Sequence, residues 1–162
     1  YDDVHPVPAR PTDEQVAAEA VRAAAHFGAF DANASYVVDT PPGNSTAGFG
    51  AKWCAYHGTT TRKGVLIAYT NFPYMTDAGR ACGANAVNRG RAGALDGVSI
   101  IAGHELAETQ TDPDAVDGWI DWDDAEIADK CVWLNLKNTS FGAAGTFPTQ
   151  PLWSNALPGC SQ

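Results

Sequence analysis

Residues 103–113 read Gly-His-Glu-Leu-Ala-Glu-Thr-Gln-Thr-Asp-Pro. A helix that holds zinc and a general base together usually carries H-E-x-x-H, two histidines one turn apart with glutamate beside the first. Here Glu108 stands where the second histidine would be. His104 and Glu108 are four residues apart and project from one helical face. An imidazole and a carboxylate at that spacing hold one divalent metal. Glu105 then sits beside the metal as the candidate base that activates water. The plainer reading of the same residues is a helix with a polar face. The preceding run, Val98-Ser99-Ile100-Ile101-Ala102, is apolar and lacks the polar stripe of a surface helix. The motif therefore reads as buried, and a buried His-Glu-Glu set needs partners or a metal to offset desolvation.

A hydrolytic zinc centre needs three protein ligands and one open position. Two candidates stand for the third. Glu126 follows His104 by 22 residues, with Asp129 just beyond it; such an Asp orients a ligand histidine from outside the ligand set. Asp114 follows His104 by ten residues, the place of the third ligand in an extended motif that turns on a glycine. Thr111 occupies the position of that glycine here. Asp112 lies eight residues along the helix from His104, roughly 12 Å up its axis, too far to be a ligand unless the helix bends. His57, in Cys54-Ala55-Tyr56-His57, is a ligand, a donor to a tetrahedral oxyanion, or a structural loop histidine. Tyr69 and Tyr74 are further oxyanion donors, against the commoner role of a strand tyrosine packed with its hydroxyl satisfied. Asp121, Asp123, Asp124 and Asp129 form an acidic cluster. It suits either a structural calcium ion or a solvated acidic turn, and has no EF-hand register.

Several elements must position these groups. Residues 1–11 hold three prolines and form an extended arm. Thr12 and Gln15 make a capping-box pattern ahead of an alanine-rich helix to Phe27, stopped by Gly28. His26, in its last turn, reads as structural. Residues 35–40 read as a strand closed by Pro41-Pro42-Gly43. Residues 43–52 form a loop, 53–58 an extended segment, and 64–70 a strand. Residues 71–93 read as one long loop, a feature often tied to function. Asp96 caps the motif helix, which ends at Asp112-Pro113. Residues 119–121 and 126–128 are the arms of a hairpin, and the tail shows little periodicity. The sum is a small α+β domain over residues 12–162, with a mixed sheet, an N-terminal backing helix and a helix carrying the motif.

With 19 acidic against 10 basic residues and a net charge of −9, the chain is a poor partner for nucleic acid or anionic lipid. No apolar run approaches the roughly 18 residues of a membrane span. The N-terminus lacks the basic and apolar regions of a signal peptide, so that segment is expected to be absent or already removed. Cys54, Cys82, Cys131 and Cys160 form no C-x-x-C pair. Their even number suits two disulfides in an extracellular protein. Of three connectivities, Cys54–Cys82 and Cys131–Cys160 are preferred because each closes a short loop. A monomer is expected.

The order of these pieces resembles the Exordium, or phosphate-induced protein, family and its bacterial relatives. The resemblance rests on Cys54 to His57; Tyr69 to Tyr74 with Pro73; Asp96-Gly97-Val98-Ser99; His104 to Glu108 through Asp112-Pro113; Trp119; Glu126-Ile127-Ala128-Asp129-Lys130-Cys131; and Pro151-Leu152-Trp153-Ser154-Asn155 before Cys160. It spans about residues 36 to 160. It implies a secreted protein with a zincin-like helix, and a zinc metalloendopeptidase acting on protein or peptide by analogy with the bacterial members. It also favours Glu126 over Asp114. Plant members resemble wall-associated growth proteins, which implies the alternative of a non-catalytic signalling module. The five tryptophans suit a carbohydrate-binding module as a third reading. Because a carboxylate ligand stays ionised below the pH at which imidazole protonates, Glu108 further predicts a hydrolase that tolerates acid.

Overall fold

A computed structural model describes residues 1–28, 30–114 and 118–162. Helix α1 spans Asp13–His26. The Thr12 hydroxyl accepts from the Gln15 N–H, and the Gln15 side chain accepts from the Thr12 N–H, as the capping-box pattern predicts. Val16, Ala20 and Ala24, spaced by one turn, are buried on its inner face. The extended arm is tied to the outer face: Arg22 pairs with Asp3 at 2.6 Å and Tyr1 stacks on His26 at 3.9 Å.

Strands β1 (Ser35–Asp39), β2 (Tyr56–Arg62) and β3 (Val65–Phe72) form a mixed sheet in the order β1-β3-β2. β3 lies at the centre, parallel to β1 and antiparallel to β2. The β2–β3 connection is the pair Lys63-Gly64, both at positive φ, the backbone of a tight two-residue hairpin turn. The extended segment that starts at 53–58 continues in β2 to Arg62. Its Thr59-Thr60-Thr61 stretch is a polar edge strand and shows no apolar alternation, so pattern alone passes over it.

Side-chain alternation divides the two faces of the sheet. Tyr36, Val38, Ile67 and Tyr69 pack on α1. Phe72 packs on the other face with Ile100, Ile101 and Met75. Helix α2 (Asp96–Thr111) covers that second face. The stretch expected as one loop begins only after Phe72, and it contains three short 3-10 turns, at Met75–Asp77, Gly79–Cys82 and Gly90–Gly93.

Asp96 is not the cap of α2. Leu95 occupies that position without a side-chain bond. The buried Asp96 carboxylate instead accepts from the Val87 N–H, the Asn88 N–H and the Asn88 amide. It braces the preceding loop rather than the helix end. Gly97 lets α2 lie directly on the chain at Cys82: a Cβ there would meet the Cys82 carbonyl oxygen at 1.8 Å.

Beyond α2, a turn at Asp129–Cys131 leads to two hairpins, β4 (Lys137–Ser140) with β5 (Thr146–Thr149), and β6 (Leu152–Ser154) with β7 (Gly159–Ser161). The hairpin expected over 119–128 is a single antiparallel bridge, Ile120 to Glu126. It closes around Asp121, whose carboxylate accepts from the Asp123 and Ala125 N–H groups and from Lys130. The disulfides join Cys54 to Cys82 and Cys131 to Cys160, the preferred pairing. The fold is α+β, a mixed sheet between two helices. Among the described residues no helix is long and apolar enough to cross a membrane.

Candidate metal centre

The helical spacing does what the sequence predicts. His104 Nε2 lies 3.1 Å from Glu108 Oε2. A third donor comes from the Asp129–Cys131 turn. Asp129 Oδ1 is 3.4 Å from His104 Nε2, and the Asp129 N–H donates to Glu108 Oε1 at 3.0 Å. The Cys131–Cys160 disulfide pins the same turn. A tetrahedral ion with donor bonds of about 2.0–2.1 Å has donor–donor edges of about 3.3–3.4 Å. The two edges at His104 Nε2, 3.1 and 3.4 Å, lie close to that spacing.

His57 enters from β2. It stands opposite Thr70 in the register, on the α2 side of the sheet. Its Nε2 lies 2.8 Å from the Asp112 carbonyl. A carbonyl only accepts, so Nε2 carries a hydrogen and donates it. Glu126 Oε1 is 3.2 Å from the same nitrogen. The opposite nitrogen, Nδ1, faces Glu105 Oε2 at 3.6 Å and Glu108 Oε2 at 3.9 Å. Glu105 and Glu108 are 5% and 2% exposed. Glu105 Oε2, Glu126 Oε1, Asp112 Oδ2 and His104 Nδ1 are buried without a hydrogen-bond partner. The orphaned carboxylate oxygens of Glu105 and Glu126, on either side of His57, are costly unless a cation offsets them.

The electrostatics follow from the crowding of carboxylates. Burial disfavours charge on His104, but Asp129 and Glu108 outweigh it and push the imidazole up to about 10. Burial also opposes charge on His57, and Glu105, Glu126 and the Asp112 carbonyl raise it to about 9. Burial and the charge of Glu108 raise Glu126 to about 7, with His57 pulling the other way. Without a metal the cluster therefore holds its histidines as cations at neutral pH.

The fold brings together His104, Glu105, Glu108, His57, Glu126 and Asp129, with Asp112 joined through its backbone. Among the described residues Asp114 belongs to neither group of converging donors. Glu126 is turned to His57 rather than His104. Asp129, read from sequence as an orienting group, lies within donor distance instead. The signal for it was present in Glu126 to Cys131, where a half-cystine fixes the turn two residues later. Tyr69, expected as an oxyanion donor, lies outside the site. Its ring is in the core against α1, on the opposite face of the sheet from His57 and α2, so it cannot reach the cluster. Tyr74 is half exposed at the start of the Met75–Asp77 turn. The four aspartates of the acidic cluster do not converge: Asp121 is engaged by backbone and Lys130, and Asp129 faces His104. No family model, curated protein or solved structure matches the chain.

Proposed function

We propose that this chain is a secreted zinc-dependent metalloendopeptidase with a zincin-like arrangement of its helix. The observation that carries the reading is the convergence of His104, Glu108 and Asp129 beside the buried, unpartnered Glu105 Oε2. His104, Glu108 and Asp129 would hold the ion, with Glu126 the rival for the third place. Zinc, when bound, acidifies water and polarises a carbonyl as a Lewis acid. Glu105 Oε2 accepts the proton of the attacking water and returns it to the leaving amine nitrogen. His57, fixed by its bond to the Asp112 carbonyl, keeps Nδ1 3.6 Å from Glu105 Oε2, an ionic contact rather than a hydrogen bond. Two disulfides suit an oxidising, extracellular setting. The resemblance to the bacterial relatives of the Exordium family points the same way, and implies peptide as the substrate.

The test is metal content of purified protein by plasma mass spectrometry, with casein hydrolysis measured from acid to mildly alkaline pH, with and without chelator. One zinc per chain and chelator-sensitive cleavage support the reading. Glu105→Gln should keep the zinc and lose activity by about 10²- to 10⁴-fold, the usual worth of a general base. A fully active Glu105→Gln protein refutes the mechanism. No metal and no cleavage would return the motif helix to a structural role in a binding module.

A further inference from the structure

We propose that Glu108 is shared with a second, weaker divalent-cation position, completed by His57 Nδ1 and Glu105 Oε2, whose occupation withdraws Glu105 from service as a base. The inference rests on the zinc reading above and adds regulation to the same site.

Four observations carry it. The first is the tautomer of His57. A histidine that ligates a metal typically donates its other ring N–H to a carbonyl or carboxylate. His57 Nε2 makes that bond to the Asp112 carbonyl at 2.8 Å, which leaves Nδ1 as the ligating atom. The second is spacing. Nδ1 lies 3.6 Å from Glu105 Oε2 and 3.9 Å from Glu108 Oε2, too far for hydrogen bonds. Tetrahedral zinc bonds of about 2.0–2.2 Å give edges of about 3.3–3.6 Å, so the Glu105 edge matches zinc and the Glu108 edge is wider, as befits the weaker position. The third is burial. The side chains of His57, Glu105 and Glu108 are 4%, 6% and 3% exposed, and Glu105 Oε2 has no hydrogen-bond partner. The fourth is charge. The buried carboxylates of Glu105 and Glu108 both face the one imidazole of His57, whose single positive charge offsets only one of them. Buried like charges left uncompensated are costly.

The two donor groups share Glu108 but not each other's histidine, so one ion does not use both sets. A carboxylate bridging two ions is the arrangement of two-metal hydrolytic sites. Here the second ion would take the base itself. Zinc should therefore activate first and inhibit in excess.

The experiment titrates zinc into the chelator-stripped chain by calorimetry and equilibrium dialysis, with peptide hydrolysis followed in parallel. The expected result is saturation at about two zinc per chain, with activity rising over the first equivalent and falling over the second. Glu105→Gln and His57→Gln should each saturate at about one. Glu105→Gln is isosteric and keeps the test valid if His57→Gln fails to fold. Saturation at one zinc with no inhibition overturns the inference and leaves the peptidase reading standing. A second zinc retained by both variants also overturns it. No zinc bound at all overturns both.

Discussion

Metal removal should reverse the pH dependence of stability. In the metal-free protein His104 is raised to about 10 and His57 to about 9, against about 6.5 in an unfolded chain. Groups raised in this way stabilise the fold fully below pH 6.5. That contribution is lost as pH climbs through 9 and then 10. Glu126, raised to about 7, acts in the same sense, because its neutral form is favoured in the fold and is lost as pH rises from about 4.5 through 7. One pKa unit corresponds to about 1.36 kcal/mol, so even half of the His104 shift amounts to roughly 2 kcal/mol. For a domain of this size that is about 4–8 °C in Tm. The chelated protein should therefore melt progressively lower from pH 6.5 to 9.5. Zinc must displace the imidazole proton to bind. Its affinity should rise about tenfold per pH unit between 6 and 9, and its binding enthalpy should change with the ionisation enthalpy of the buffer. The assays are thermal melts of chelated and zinc-loaded protein, and calorimetry in two buffers at one pH. His104→Gln should flatten both dependences and separates the site from the general acidity of the chain. A chelated Tm that is flat or rising over this range, or a buffer-independent zinc enthalpy, would contradict cationic histidines in the metal-free cluster.

Gly97→Ala places a methyl 1.8 Å from the Cys82 carbonyl oxygen; the backbone must move, and a loss of about 1–3 kcal/mol is expected in urea unfolding. Replacing Cys131 and Cys160 together with alanine opens a separation of 29 residues, for which loop entropy gives about 3.5 kcal/mol. The same change should weaken zinc binding in dialysis, because Cys131 anchors the turn that presents Asp129. Asp96→Ala leaves the Val87 and Asn88 N–H groups without their acceptor, and should cost about 2–4 kcal/mol in thermal melts, with zinc content unchanged.

Features that depend on neighbours along the chain are legible in the residues alone. The capping box and apolar spacing of α1 are local, as is the placing of His104 and Glu108 on one face of α2, since a helix repeats every few residues. The disulfide partners were legible because each closes a short loop. The tertiary structure alone decided what depends on register and approach. Strand pairing set His57 opposite Thr70 and turned it towards α2, while Tyr69, one residue from Thr70, faced the other way. One residue of register exchanges the two faces of a strand, and no composition reveals it. Asp96 has the residue type of a helix cap, yet a loop nine residues earlier claimed its carboxylate. Asp129 comes within 3.4 Å of His104 because the Asp129–Cys131 turn folds back over Glu108. Residues 21 apart in sequence meet there only through tertiary packing.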